Sequence, residues 1–492
     1  MTTDRRHWLC VAYSFPPVNR SGTHRTSAFV RHLHRLGWDA TVTSGPLEGE
    51  PIDENLLAHV PEPTRVVRTA WLDPLAAMRR AIHRPQGPSS PTLTRESPTS
   101  APSALNPMKE WVTRLLKTPD SRSTWIAPTI VAGLQEIARR RPDILYSTSP
   151  YMSAHLVALV LSHVTRIPWV ADFRDPWVDN PYRDLGFRSL ARLDRTLESC
   201  VLHRAKKIIC NTDTLRECVT ERLPNLAHKC TAIANGIDID LLQSTRPTRR
   251  GSPGDFVFLH CGQFYGPRRP HPLLAAVRHI ARTAPDVAGK LRVILLGPTH
   301  YQDEPIQQLI GNYGVERWFT VAPPASHQET LSYMLGSDAL ILIGAGGPGS
   351  HLQVPNKLFE YLGAKKPIVA AVPAGSPAVD LLQAARAETI VCDPQDDRAI
   401  ANAIVHGVTG HWPVVDNPWS GLHMLDRSRR ASELAEIFDR LADRRIMSGP
   451  RIVRRATATI DRPGRRDWSA ARDQSSFPAH VPTTPVCDRE GS

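Results

Sequence analysis

The sequence predicts an α/β protein built from two doubly wound, Rossmann-like domains that face each other across a cleft. Near-continuous apolar runs alternate with amphipathic helical segments, which is the pattern of a parallel sheet covered by helices on both faces. The same alternation starts again after a break rich in Arg, Pro and Ser. The chain of 492 residues is too long for one hydrophobic core and long enough for two ordinary domains.

The first domain is predicted over residues 1–243. It opens with the strand HWLCVAYSF, a helix over residues 26–36 that Gly37 stops, and the strand DATVTS. The alternation continues with the strands DILYSTS, PWVADF and KIICNT and with helices near residues 151–165 and 189–203.

The second domain is predicted over residues 256–415, after a linker over residues 244–255 (STRPTRRGSPGD). Its strands are FVFLHCG, LRVILLG, FTVAP, ALILIG, PIVAAV and ETIVCD, with a helix near residues 273–283 and another that starts near Asn356. A C-terminal helical segment follows over residues 416–445, and within it residues 425–441 have strong amphipathic periodicity.

Two stretches are predicted to lack a packed structure. Residues 84–107 form an insertion of Pro, Ser and Thr that cannot bury enough apolar area to offset the entropy of ordering. Residues 446–492 return to Arg, Pro and Ser without periodicity and predict a disordered tail.

Composition narrows the classes of partner. The net charge of +12 is compatible with nucleic-acid binding, but basic and acidic residues are interspersed and no basic recognition helix is present, so we expect no nucleic-acid partner. The eight cysteines form no CxxC pair, and we expect no metal site and no cofactor. The cysteines also form no regular framework, which favours a cytoplasmic protein. No apolar run approaches the ~20 residues of a spanning helix, so the sequence predicts a soluble or peripheral protein.

Candidate site residues should lie in loops that follow strands, because open parallel sheets bind ligands at the carboxyl ends of their strands. Four segments meet this condition: residues 15–25 (FPPVNRSGTHR), 171–177 (ADFRDPW), 260–269 (HCGQFYGPRR) and 344–362 (GAGGPGSHLQVPNKLFEYL).

The fourth segment is the most informative. A glycine-rich strand exit leads to Pro355 at a helix start, where backbone amides and the helix dipole can meet an anion and Lys357 adds a full charge. Glu360, one turn later, could accept hydrogen bonds from two ribose hydroxyls. The alternative is that Lys357 and Glu360 form a surface pair three residues apart, worth a few tenths of a kcal/mol.

The other segments add weaker candidates. Arg268 and Arg269 follow Gly262 in a loop after a buried strand, and guanidinium groups suit phosphate recognition, although exposed arginines are common in this chain. Gly22 would allow a ligand close to the backbone, or it is an ordinary turn glycine. Asp172 and Arg174 cluster with Asp175 after a strand, which favours a functional role for charged groups that lose solvent.

Together the four segments resemble the retaining family 4 glycosyltransferases of the GT-B fold, particularly those of bacterial polysaccharide assembly. The first segment resembles that family's FPPxxGGxER loop, TAIANGID resembles the stretch that closes its first domain, and HCGQFYGPRRPHPLL and VPNKLFEYLGAKKPIVA are similar to its donor-binding loops. The likeness covers residues 8–44, 111–239 and 256–393.

The resemblance implies a transferase that moves a sugar from a UDP- or GDP-sugar donor to a glycan, lipid-linked or small-molecule acceptor, with retention of configuration. It places Gly22 near the donor diphosphate, Arg268 and Lys357 on the leaving phosphates, and Glu360 on the ribose. We group Arg268, Lys357, Asp172 and Arg174 as catalytic candidates. Gly22, Gly262, Arg269, Pro355 and Glu360 are the donor-binding candidates.

Three positions depart from the family's pattern. Leu352 stands where the first glutamate of its paired-glutamate motif is found, Gln263 where its phosphate-loop arginine is found, and Arg174 where its N-domain histidine is found. These departures affect the positions that, in the family, hold the transferred sugar and assist the acceptor, and they could reduce activity. Two alternatives therefore stay open, a nucleotide-sugar epimerase of the same architecture and a catalytically weak sugar-nucleotide binder.

The short stretch WVTRLLK at residues 111–117 is amphipathic. With the positive net charge it indicates peripheral contact with an anionic membrane at the inner face of the plasma membrane, although a helix packed into the core would give the same pattern.

Overall fold

The first of two parallel sheets has seven strands in the order β3-β2-β1-β4-β5-β6-β7. The computed structural model describes residues 5–71, 107–178, 180, 185–346 and 354–448. The strands are β1 Arg6–Val11, β2 Trp38–Ser44, β3 Arg65–Arg68, β4 Ile144–Thr148, β5 Trp169–Phe173, β6 Lys207–Cys210 and β7 Cys230–Ala232. Because the chain runs outward from β1 in one direction and from β4 in the other, the sheet is doubly wound.

The helices of this half are α1 Ser21–Arg35, α2 Pro107–Leu116, α3 Ile126–Arg139, α4 Ser153–Thr165, α5 Arg188–Arg204 and α6 Asp213–Arg222, and the next helix, α7 Ile239–Ser244, packs against the core of the second half. The predicted start of α1 near residue 26 was wrong, because the helix begins five residues earlier, inside the segment expected to be a loop. Ser and Gly are tolerated in a first turn, where the backbone N–H groups have no helical partner in any case. The predicted stop at Gly37 is confirmed by its φ of +94°.

The second sheet has six parallel strands in the order β12-β9-β8-β13-β14-β15. Its strands are β8 Phe256–Cys261, β9 Leu291–Leu296, β12 Phe319–Ala322, β13 Ala339–Ile343, β14 Ile368–Ala371 and β15 Thr389–Cys392, and a separate two-stranded sheet joins β10 His300–Tyr301 to β11 Glu304–Pro305. The helices are α8 His271–Thr283, α9 Pro285–Lys290, α10 Ile306–Tyr313, α11 His327–Gly336, α12 Asn356–Ala364, α13 Pro377–Ala384, α14 Asp397–Val408 and α15 Arg427–Ser448. The predicted α/β class with two doubly wound sheets is confirmed.

Helix α15 belongs to the end of the chain but covers the first sheet. Phe438 packs its ring edge against Trp8 and Trp38, with centroid distances of 5.4 and 5.2 Å, and all three side chains are fully buried. The chain therefore crosses between the halves twice, once between β7 and α7 and once before α15. The two crossings meet at Ile237, whose N–H donates to Leu425 and whose carbonyl accepts from Arg427.

The segments expected to be unstructured fall mostly outside the described residues. Of the insertion over residues 84–107 only Pro107 is described, and it begins α2, a position that suits proline. The tail was predicted from residue 446, but α15 continues to Ser448. Across the described ranges, no helix combines the length and the apolar character needed to cross a membrane.

Candidate active site

A cleft of about 240 Å³ lies at the carboxyl ends of both sheets, where each half contributes one wall. Five of the predicted residues line it: Arg174 from the first half and Gly262, Arg268, Pro355 and Lys357 from the second. In the second sheet the loops after β8 and β13 open into it, at the point where the strand order reverses. The remaining predicted residues, Gly22, Asp172, Arg269 and Glu360, do not line the cleft.

The loop after β8 forms one side of the C-terminal wall. Gly262 has a φ of +111°, which side-chain-bearing residues rarely adopt, and a Cβ there would lie 4.0 Å from Cγ of Lys357. The guanidinium of Arg268 stacks on Tyr265 with its carbon 5.0 Å from the ring centroid, and its buried Nε has no hydrogen-bond partner. Arg269 is exposed and is not among the residues that line the cleft, so its position does not support a donor contact.

The start of α12 forms the other side of that wall. Pro355 precedes the helix and Lys357 lies in its first turn, so a full charge and the positive end of the helix dipole face the same cleft. The glycine-rich stretch before it is described only through Gly346, and the predicted Leu352 departure lies outside the described residues.

Glu360 lies behind this wall with both carboxylate oxygens bonded. Lys357 Nζ donates to one oxygen at 3.0 Å and His327 Nε2 lies 2.9 Å from the other, while the Glu360 side chain is 13% exposed. Burial alone would raise the pKa of Glu360, but Lys357 and His327 hold it well below its usual range. The pair with Lys357 therefore exists, as the alternative interpretation expected, but Glu360 is largely buried and not on the surface.

His327 connects this carboxylate to the opposite half. Its ring is 4.2 Å from the ring of His24 on α1, and its backbone N–H donates to Asp53 at 3.1 Å. A second link joins Asn356 at the start of α12 to the first half, through its side-chain N–H₂ and the carbonyl of Ser21 at 3.1 Å. The two walls therefore touch through side chains at the edge of the site.

Arg174 is the charged residue of the N-terminal wall. It is 7% exposed, and neither Nε nor Nη1 has a hydrogen-bond partner. A Cβ on Gly22 would come within 3.1 Å of Arg174 Nη1, so Gly22 makes room for this guanidinium. Gly22 thus supports the cleft indirectly, through Arg174.

Asp172 requires a correction. It was a catalytic candidate, but it has no exposed surface and accepts hydrogen bonds from Arg25 Nε and Nη2 at 3.0 and 2.9 Å, from Tyr146 at 2.7 Å and from Thr148 at 2.8 Å. Burial would raise the pKa of this carboxyl, but Arg25 and the hydroxyl donors keep it below its usual value. A fully bonded, buried carboxylate cannot contact a substrate, so Asp172 serves to hold Arg25 and the strand ends in place.

Sequence reasoning missed several polar residues of the site. Asp175, which the sequence placed in the charged cluster but not among the catalytic candidates, lines the cleft beside Arg174, and burial raises its pKa. Asn211, Asn235 and Asn356 line it as well. Asn211 follows β6 directly, so its position at the carboxyl end of a strand could have identified it, and Asn235 lies in the TAIANGID stretch that resembles the family. Nothing in the local pattern around residue 327 distinguishes a site residue.

His260, at the end of β8, is a further missed residue. Burial lowers its pKa to about 4, so it is neutral near pH 7. Its Nδ1 lies 3.0 Å from the carbonyl of Ile341, and its buried Nε2 has no partner although the residue lines the cleft. With Nδ1 as the donor, Nε2 offers a hydrogen-bond acceptor to a ligand.

Comparison with known proteins agrees with this architecture. Residues 92–241 match the model of Glycosyltransferase Family 4. No curated protein matches the chain.

Several solved structures share the fold. The UDP complex of Anabaena Alr3699/HepE aligns over 88% of this chain and all of its own, with 14% identity and a TM-score of 0.54. Sucrose-phosphate synthase from Thermosynechococcus elongatus aligns over 89% of this chain and all of its own, with 13% identity and a TM-score of 0.57. A glycosyltransferase from Rickettsia africae aligns over 89% of this chain and 99% of its own, with 12% identity and a TM-score of 0.54. The chain therefore has the GT-B fold, and residues 92–241 are similar to Glycosyltransferase Family 4.

Proposed function

We propose that this protein is a glycosyltransferase that moves a sugar from a UDP- or GDP-sugar to a glycan, lipid-linked or small-molecule acceptor, with retention of configuration. The observation that carries the proposal is the cleft between two Rossmann-like sheets, into which Arg268, Lys357 and the start of α12 all project positive charge. The family match over residues 92–241 supports sugar transfer, and the UDP complex of a protein with the same fold supports a nucleotide donor.

The proposed chemistry follows from where charge develops. Breaking the glycosyl–phosphate bond builds negative charge on the departing diphosphate and positive charge on the sugar ring. Arg268 and Lys357 stabilise that diphosphate more strongly than the intact donor, which lowers the barrier. Contacts between the walls, such as those of Asn356 and His327, allow the halves to close over the donor and exclude water that would hydrolyse it.

A panel of radiolabelled nucleotide sugars, each with and without candidate acceptors, tests the proposal. A transferase releases the nucleoside diphosphate and labels the acceptor, and the anomeric configuration of the product reports retention. An epimerase changes the donor without an acceptor, and a binder turns nothing over. Either of those results would contradict sugar transfer.

We expect turnover to be independent of a divalent metal. No DxD motif lies in a suitable loop, and Arg268 and Lys357 supply the charge that a magnesium ion supplies elsewhere. Activity measured in EDTA should equal activity measured with added magnesium. Loss of activity in EDTA that magnesium restores would show that these two cations are insufficient.

We also propose a cytoplasmic protein that contacts anionic membrane peripherally. Helix α2 leaves Val112 and Leu116 42% and 39% exposed, which is unusual for apolar side chains of a helix packed into a core. Co-sedimentation with vesicles should rise with the fraction of anionic lipid, and Val112→Asn with Leu116→Asn should weaken it. Equal co-sedimentation with neutral vesicles, or an unchanged double variant, would rule out this contact.

A further inference from the structure

The guanidinium of Arg174 is a buried charge that has no ion-pair or side-chain hydrogen-bond partner among the residues that the structure describes. Arg174 is only 7% exposed. Its Nε and Nη1 make no hydrogen bond, and no carboxylate of the described residues lies within ion-pair distance of the guanidinium. By contrast Arg25, the neighbouring buried arginine, has a bidentate carboxylate partner in Asp172. Burying a charge without a partner destabilises the folded protein. An unpaired arginine beside a cleft therefore points to an anionic ligand that neutralises it.

The C-terminal wall carries less free charge than its cations suggest. Lys357 is already paired with Glu360 at 3.0 Å, which offsets part of its charge, so among the described residues of this wall Arg268 and the α12 dipole are the positive groups without a carboxylate partner. A nucleoside diphosphate carries more than one negative charge and gains another when the glycosyl bond breaks. Gln263 lines the same wall without charge. The charge balance therefore requires a further cation, and Arg174 is the remaining one among the cleft-lining residues.

The geometry of the N-terminal wall suits an anion. Ser21, the first residue of the 15-residue helix α1, lines the cleft together with Arg174, so the positive end of that helix opens toward it. Gly22 follows, and its missing side chain is what lets Arg174 Nη1 lie beside the first turn. The charge of Arg174 and the N-terminus of α1 thus lie together on the N-terminal wall, and Lys357 lies on the other wall.

We propose that Arg174 is a catalytic residue that binds the departing diphosphate from the N-terminal wall, so that the diphosphate is held by both halves of the molecule. This role rests on the proposed function. In the step it assists, the bond from the anomeric carbon to the phosphate oxygen breaks, its electron pair stays on the diphosphate, and the acceptor oxygen bonds to the anomeric carbon. The acceptor's hydroxyl proton leaves with the departing phosphate.

Asp175 does not remove the need for this ligand. It is the carboxylate with the largest electrostatic effect on Arg174, but it forms no ion pair with Arg174 within 4.0 Å in the described structure, and burial raises the pKa of Asp175. The ionisable neighbours of Lys357 and of Arg174 also differ. Glu360 and Cys261 act on the pKa of Lys357, whereas Asp175, Arg25 and Asp172 act on that of Arg174, as expected for cations on opposite walls.

Calorimetric titration with UDP, GDP and the corresponding monophosphates, together with steady-state kinetics, tests the proposal on wild type, Arg174→Met and Arg174→Lys. The Met variant should bind the diphosphate about ten- to a hundredfold more weakly, with a smaller loss for the monophosphate, and kcat should fall more than KM rises. The Lys variant should recover part of the affinity because it keeps the charge. Arg282→Ala, at an exposed position on α8, is the matched control for loss of one positive charge and should leave both measurements unchanged.

A melting curve adds a readout that a structural role would not give. Because the guanidinium is buried without a partner, Arg174→Met should be at least as stable as wild type without ligand, and it should gain less stability from added UDP. Arg174→Met could instead fail to fold while Arg174→Lys folds and has the diphosphate affinity and kcat of wild type. That pair of results would overturn the proposal in favour of a structural role.

The remaining outcomes separate this inference from the proposed function. A folded Arg174→Met variant could keep the diphosphate affinity and kcat of wild type while Lys357→Met loses both. That result would refute the role of Arg174 but would not contradict sugar transfer. An effect confined to donors or acceptors that carry an additional carboxylate or phosphate would also refute it, because Arg174 would then bind that group. Absence of nucleotide binding and turnover in wild type would refute the proposed function itself.

Discussion

Replacing Asp172 with alanine should lower the free energy of unfolding by about 3 to 5 kcal/mol, the cost of leaving one partner of a buried ion pair without the other. Arg25 is 5% exposed, and its Nε and Nη2 both donate to this carboxylate. The change also removes the acceptor for the hydroxyls of Tyr146 and Thr148. Urea unfolding followed by circular dichroism measures the loss.

Asp443→Ala is the matched control, because its carboxylate pairs with Arg6 on the surface and is 59% exposed. Removing such a pair should cost no more than about 1 kcal/mol. A loss for Asp172→Ala no larger than for Asp443→Ala would show that Arg25 finds other partners, and the structural role assigned to Asp172 would be wrong.

The same pair gives stability a defined dependence on pH. The folded-state pKa of Asp172 lies below its unfolded value because of Arg25, so its contribution is fully present above the unfolded pKa and is lost as the pH falls through the folded pKa. The stability difference between wild type and Asp172→Ala should therefore be constant near neutral pH and should shrink only in acid, below the usual carboxyl range.

Replacing Glu360 with glutamine should reduce nucleotide affinity by about ten- to a hundredfold, corresponding to about 1.5 to 3 kcal/mol for hydrogen bonds to a charged acceptor. The ribose hydroxyls would meet a carboxylate that already accepts from Lys357 at 3.0 Å and lies 2.9 Å from His327, so these partners must rearrange when the ribose binds. Stability should also fall, by about 1 to 2 kcal/mol, because the residue is largely buried and the neutral amide cannot compensate Lys357.

Calorimetric titration of wild type and variant with UDP and GDP, beside a melting curve, measures both effects. Glu436→Gln makes the same chemical change on an exposed part of α15, where Glu436 is 73% exposed, and should alter neither affinity nor stability by more than a few tenths of a kcal/mol. If Glu360→Gln lowers stability but binds nucleotide as wild type does, Glu360 only links α12 to His327 and the ribose assignment fails.

The elements of the fold could be predicted because their signals are local. Apolar runs such as FVFLHC and ALILI are strands as expected, and Gly37 and Pro355 mark a helix end and a helix start. The expectation that site residues lie in loops after strands likewise identified Arg174, Arg268 and Lys357, since the carboxyl ends of parallel strands meet on one edge of each sheet.

What the sequence could not supply were the partners of these residues. Arg25 and Asp172 are 147 positions apart, and His327 and Glu360 are 33 apart, so no periodicity connects them. A charged cluster after a strand looks the same whether its carboxylate is buried in an ion pair, as Asp172 is, or open to a ligand, as Asp175 is. Amphipathic periodicity also predicted α15 but not that its apolar face covers the first sheet.

The meeting of the two chain crossings at Ile237 determines how the halves can move. Two bodies joined by a single linker can separate and turn in any direction, whereas two adjacent connections held together by backbone hydrogen bonds behave as a hinge with one axis. Ile237 donates to Leu425 and accepts from Arg427, and a Cβ on the preceding Gly236 would come within 2.8 Å of the Leu425 carbonyl oxygen, so the crossings are in direct contact. We therefore expect a motion that opens the cleft to be a swing about Ile237, in which the far rim of each wall moves through a longer arc than the residues beside that axis.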